Sequence, residues 1–182
     1  DTIDWRKQVR FGLIGMLTIV FIALAGMPVV LDRRNIIEPA LSMGYLSLLW
    51  VPLVFANIAG NEVLLEGMKA RQRSYKDLIA GCSVGLVSSA GLTILMVLVQ
   101  NFDLRDPLVN WSPQLLDLLS FRRTLVTGMI CWLAFGAALG TLGGAMHMVS
   151  RRARLLIFSV SLSVFSVSVL ETFLADLLEG FG

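Results

Sequence analysis

Charge is what this sequence is short of: 15% of its 182 residues are Asp, Glu, Lys or Arg, against about 25% in an ordinary soluble domain. The 15 Lys and Arg and 13 Asp and Glu leave a net charge of +2. That balance is too small for a nucleic-acid footprint, and no basic run alternates with aromatic residues as a strand-binding groove requires. Histidine occurs once, at His147, so a zinc-type histidine pair is excluded. The two cysteines, Cys82 and Cys131, stand within apolar runs. They support neither a disulfide framework nor a thiolate metal site, and they read as small packing residues. A nucleotide-binding loop, a nucleophile elbow and paired cysteines are all missing. Catalysis and a resident cofactor are therefore not expected, and any hydrolysis that drives the protein has to come from a partner.

What the chain has instead is long uncharged sequence, with 56% of its residues hydrophobic. Lipid is the natural solvent for such a chain, because a domain of this size has only one modest core in which to hide apolar surface. Crossing a bilayer core of about 30 Å takes about 20 apolar residues in a helix, which pairs every backbone N–H and C=O within the segment. Five stretches meet this requirement, at about residues 11–31, 40–59, 78–99, 124–149 and 155–175. The first is too long for a signal peptide, and Val29-Val30-Leu31-Asp32 offers no small-residue cleavage site. In the fifth, serine alternates with apolar residues from Ser159 to Val169. That is a strand-like period, but a lone strand in lipid leaves its backbone unpaired, and a helix is the expectation. The fold class expected is an all-α integral membrane protein of about five transmembrane helices forming one domain, 1–182.

Orientation follows from the Lys and Arg of the connections. One side holds Arg6, Lys7, Arg10, Lys69, Arg71, Arg73, Lys76, Arg151, Arg152 and Arg154; the other holds Arg33, Arg34, Arg105, Arg122 and Arg123. Ten against five puts the N-terminus in the cytoplasm and the acidic tail, with Asp176 and Glu179, outside. Two connections have patterns of their own. Residues 61–77 place Val63, Leu64 and Met68 opposite Glu62, Glu66, Lys69 and Arg73, which fits a short interfacial helix. In the loop 101–123, Ser112 is a candidate N-cap with Pro113 at the first helical position, and the leucines that follow are expected on the membrane surface. Trp5, Tyr75 and Trp111 stand at span boundaries, where interfacial aromatics belong. Pro52 is expected to kink the second span.

The strongest local pattern is a ladder of small residues. Gly136, Gly140 and Gly144 recur every four positions in the fourth span, and Gly81, Gly85 and Ser89 do so in the third. Stripes of this kind let helix backbones approach closely, so that van der Waals contact drives association where the hydrophobic effect is absent. They are the candidate helix-packing interface. Packing inside this chain is favoured over docking of another membrane subunit. His147 is a candidate ligand for the metal of a pigment or haem in a larger complex, with an interfacial histidine bonded to a carbonyl or water the favoured alternative. Glu38 and Glu171 are the carboxylates nearest the apolar core, and both read as boundary residues.

Two segments carry a family resemblance. Asn110 begins NWSPQLLDLLSF, and Gly136 to Arg154 reads GAALGTLGGAMHMVSRRAR. Together with the layout from Arg10 through Arg34, they resemble the N-terminal membrane region ahead of the permease core in bacterial branched-chain amino acid ABC transporter permeases. The resemblance implies a non-catalytic membrane subunit, or N-terminal membrane region, of an ABC-type amino acid importer in the bacterial plasma membrane, served by a separate ATPase. The family's cytoplasmic coupling segment and gated pore helices have no match here, and no substrate residue carries over. The alternative expectation is an accessory subunit that stabilises a larger photosynthetic or respiratory assembly. In either case the partners are the bilayer and other membrane subunits.

Overall fold

The computed structural model describes residues 4–32, 35–37, 41–66, 75–102, 113–146 and 149. Beyond these it describes 152, 153, 155–157, 159, 160, 162, 163, 166, 167 and 170. The first helix, α1 (Trp5–Leu24), opens on Asp4, whose carboxylate accepts from the Lys7 amide at 3.4 Å. An acidic group at that position meets both an orphan N–H and the positive end of the helix dipole. The helix stops at Ala25. Gly26 has φ 75°, a left-handed conformation that costs glycine nothing, and a new short helix, α2 (Met27–Leu31), starts with Pro28 in its first turn. The first expected span is thus broken in two. The cause is the Gly26-Met27-Pro28 sequence, in which a permissive residue reverses the backbone and proline restarts the helix.

A small antiparallel hairpin follows, β1 (Asn35–Ile37) paired with β2 (Leu41–Ser42). Then come α3 (Met43–Glu66), α4 (Tyr75–Phe102), α5 (Pro113–Leu119) and α6 (Leu125–Ala145). Helix α3 runs through Pro52 and on past residue 59. Residues 61–66 therefore continue α3 beyond its apolar stretch, Met43–Gly60, rather than starting a separate helix, and residues 67–74 lie outside the described ones. Thr124 caps α6 by accepting from the Thr127 amide at 3.3 Å.

Four of these helices, α1, α3, α4 and α6, are long and apolar enough to cross a membrane. Helix α3 packs on α1, α4 and α6, while α4 also packs on α1 and α6. Ile19, Leu48, Leu92, Met96, Leu115, Leu119 and Trp132 are buried among them. Outward faces are apolar as well: Leu17 is 67% exposed, Phe21 73%, Val126 62% and Ile130 63%. Burying one such side chain stabilises by about 1.5–3 kcal/mol over leaving it in water, so lipid is the environment these faces are built for. Trp5 and Tyr75 are exposed at the α1 and α4 ends, the position of interfacial aromatics. Where the fifth stretch is described, between 152 and 170, its residues are helical, and Leu155, Leu156, Val160, Leu162, Val167 and Leu170 are exposed. Glu171 and the tail lie outside the described residues.

Helix α5 begins at Pro113, but its leucines do not lie on a membrane surface. Leu115, Leu118 and Leu119 are buried in the core, beneath the end of the bundle. The physical reason is the tight corner into α6. It draws α5 back against α2 and α4, where Trp132 of α6 donates its indole N–H to the Leu119 carbonyl at 2.8 Å. This bond satisfies a C-terminal carbonyl of α5 that has no partner in its own helix. Replacing Trp132 by phenylalanine keeps most of the ring volume and leaves that carbonyl unpaired. The expected outcome is a loss of about 1–2 kcal/mol, read as a lower thermal unfolding midpoint in detergent.

Candidate functional site

The closest approach in the bundle is between α4 and α6, which run antiparallel. Their small residues alternate along one seam. A methyl group built on Gly85 would lie 2.8 Å from the Gly140 Cα and nearer still to the Gly136 carbonyl oxygen. One built on Gly140 would lie 2.8 Å from the Gly85 Cα, against the Gly81 carbonyl, and one on Gly81 would lie 2.9 Å from the Gly144 backbone. At the next level Ser89 takes the place of a glycine. Its Cβ would stand 2.6 Å from a methyl on Gly136. No side chain fits between these backbones, so each helix is the other's packing surface.

The hydroxyl of Ser89 donates to its own helix, to the Gly85 carbonyl at 2.9 Å and the Leu86 carbonyl at 3.2 Å. Serine is thus small enough for the seam and needs no partner across it. The structure brings together all six residues of the two stripes, Gly81, Gly85, Ser89, Gly136, Gly140 and Gly144. They pack within this chain, and the seam is buried. His147 lies outside the described residues.

Sequence periodicity did not single out a second seam between α1 and α4. There a methyl on Gly12 would meet Val87 Cβ at 2.7 Å, and one on Gly15 would meet Phe55 Cγ at 3.3 Å and the Ser88 hydroxyl closer still. Ser88 donates to Val84 at 2.8 Å within α4 and lies 3.3 Å from the Gly12 carbonyl of α1. Gly143 adds a third contact, from α6 to the backbone of α3 at Leu53 and Asn57. The signal was present in each case as a glycine on an inward face, but the spacing Gly12 to Gly15 is not the four-residue ladder that draws attention.

At the α5 end the chain makes a polar cleft of about 330 Å³, lined by Val29, Asp32, Gln114, Asp117, Leu118 and Arg122. Asp32 closes α2, accepts from the Ser42 hydroxyl and faces the Arg122 guanidinium at 3.6 Å. Beside it Phe121 stacks on Tyr45, with centroids 4.9 Å apart and planes 4° from parallel, and it also meets Trp132 and Phe135 at 5.3 and 5.8 Å. Nothing in the linear pattern pointed to this cluster, whose members come from α2, β2, α3, α5 and α6.

Groups of three or more His, Cys, Asp or Glu able to hold a metal are absent among the described residues. Comparison with known proteins adds no relative: no family model, curated protein or solved structure matches the chain.

The seam sets a clear mutational contrast. Gly85→Val or Gly140→Val forces the two backbones apart and is expected to cost about 2–3 kcal/mol or more. Ala138→Val, on the exposed face of α6, is expected to stay within about 0.5 kcal/mol. Unfolding in mixed micelles as a function of denaturing detergent measures both.

Proposed function

We propose that this chain is a non-catalytic membrane subunit, or N-terminal membrane region, of an ABC-type amino acid importer, packed beside the translocating core rather than forming it. The observation that carries the non-conducting role is the chemistry of the interior. Among the residues whose side-chain burial is described, no Asp, Glu, Lys, Arg or His is buried, and the buried amides are those of Gln8 and Asn57. The buried hydroxyls of Ser47, Ser88, Ser89 and Thr93 all donate to carbonyls of their own helices. A transported polar solute needs groups that converge on it at mid-membrane, and these groups are already satisfied by backbone. A bundle whose buried hydroxyls are taken up by backbone and whose outward faces are apolar is suited to support a neighbour within the bilayer. The importer attribution comes from the resemblance of the Asn110 and Gly136–Arg154 segments.

In this reading the chain lies in the bacterial plasma membrane with five spans, the fifth covering about residues 155–175. The N-terminus and the Lys69–Lys76 connection face the cytoplasm, where a separate ATPase acts on the assembly, and the acidic tail is outside. The competing role, an accessory subunit of a photosynthetic or respiratory complex, uses the same apolar faces and needs no conduit either. The two are separated by what accompanies the protein.

Purification from native membranes in mild detergent is expected to retain an ATPase and a permease core. Retention of pigment or haem subunits in fixed ratio instead contradicts the importer reading and establishes the accessory one. Single cysteines placed at Lys69 and Glu179 in a background without Cys82 and Cys131 are expected to react with an impermeant maleimide from opposite faces of the membrane. Reaction of both from one face rules out the fifth span.

A further inference from the structure

The corner between α5 and α6 is built at a conformational cost. Phe121 and Arg122 both have φ 55°, the left-handed region in which a side chain costs about 1–2 kcal/mol per residue. The hydrogen bonds are those of a Schellman helix ending, with the Arg122 amide bonded to the Asp117 carbonyl at 2.7 Å and the Phe121 amide to Leu118 at 3.0 Å. Glycine is the usual residue at the position Phe121 holds. Such strain persists only where the surroundings over-determine it.

Trp132 and Phe135 of α6 pack on the Phe121 ring, and two further contacts reach back across the chain to the α2–α3 region. The Phe121 ring lies flat on Tyr45 of α3, and Arg122 faces Asp32 at the end of α2, which Ser42 also holds. The ion pair is the weaker of the two, because Arg122 is 72% exposed and Asp32 25%, so solvent and salt reach it. The polar cleft lies directly beneath, with Asp32 and Arg122 in its walls.

We propose that the α5–α6 corner is a strained clasp, latched by the Asp32–Arg122 pair, whose release lifts Phe121 from Tyr45 and widens the cleft while the glycine seam stays closed. Two features separate this from ordinary helix fraying. The corner carries backbone strain that opening relieves, and its latch is one exposed ion pair joining segments about ninety residues apart in sequence. A competing charged group entering the cleft, Asp117 included in its surroundings, acts on the same pair.

Hydrogen–deuterium exchange of the intact protein in nanodiscs tests this. Raising salt from about 0.05 to about 1 M, where the screening length falls to about 3 Å, is expected to speed exchange of residues 114–123 about fivefold. Exchange in 81–89 and 136–144 stays unchanged. Asp32→Asn is expected to give the same rise at low salt and to abolish the salt response. Adding Arg122→Gly to Asp32→Asn relieves the left-handed backbone and is expected to bring the rate back down by about fivefold. Exchange at the corner that ignores salt, a rise shared equally by the seam, or a double variant as fast as Asp32→Asn alone would overturn the proposal. The salt response of the unaltered protein keeps the test decisive even if a variant fails to fold.

Discussion

Everything in this bundle depends on how closely the backbones of α4 and α6 can approach. In lipid the apolar side chains gain little by turning inward, because hydrocarbon surrounds them on either side. What holds the helices together has to be contact at short range, and dispersion contact falls off steeply with even a fraction of an ångström of gap. Gly81, Gly85, Gly136, Gly140 and Gly144 remove every side-chain atom that would stand in the way. The approach of α4 then sets the place of α1 through Gly12 and Gly15, and the approach of α6 sets the place of α3 through Gly143. The core of leucines, Met96 and Trp132 at the α5 end is arranged around a frame already fixed by glycine.

The two ends of the bundle are built by different rules. Along the spans, hydroxyls bond to their own helices, with Ser88 also reaching the Gly12 carbonyl of α1, and backbones pack on backbones, so polarity is internalised almost residue by residue. At the α5 end polarity is shared between elements, with Asp32, Ser42 and Arg122 joining α2, β2 and the α5–α6 corner. The first arrangement is insensitive to solvent. The second is exposed to it, and it borders the polar cleft lined by Asp32, Asp117 and Arg122. A bundle held backbone to backbone along its spans, and joined by solvent-exposed polar contacts at one end, is the physical character that emerges.

Much of this was legible in the sequence, because lipid leaves so few choices. Five spans were read from apolar runs, and four of them are helices long and apolar enough to cross a membrane; the four-residue glycine ladder was read from spacing alone, since a bilayer imposes helix length and close packing imposes small residues. What was missed depends on contacts between distant segments. The break at Gly26 was written in Gly-Met-Pro, yet a run with no charge masks it when length is the test. The burial of Leu115, Leu118 and Leu119 was not legible, because an amphipathic stretch reads the same whether lipid or protein covers its apolar face. The left-handed pair Phe121–Arg122 was invisible for a stronger reason: neither residue favours that conformation, and only Tyr45, Asp32 and Trp132, brought up by the fold, hold it there.

The pairing of glycines across α4 and α6 is tested most directly by a double-mutant cycle on Gly85 and Gly140, each changed to alanine, with unfolding free energies measured in mixed micelles. Facing backbones predict strong coupling, because the first methyl already separates the helices and the second finds the space open. A coupling energy of about 1 kcal/mol or more is expected, while Gly85 paired with Gly44, at the far end of the bundle, should be additive. Additive losses from Gly85 and Gly140 would mean that the two residues do not face each other, and the account of how this bundle is held together would fail.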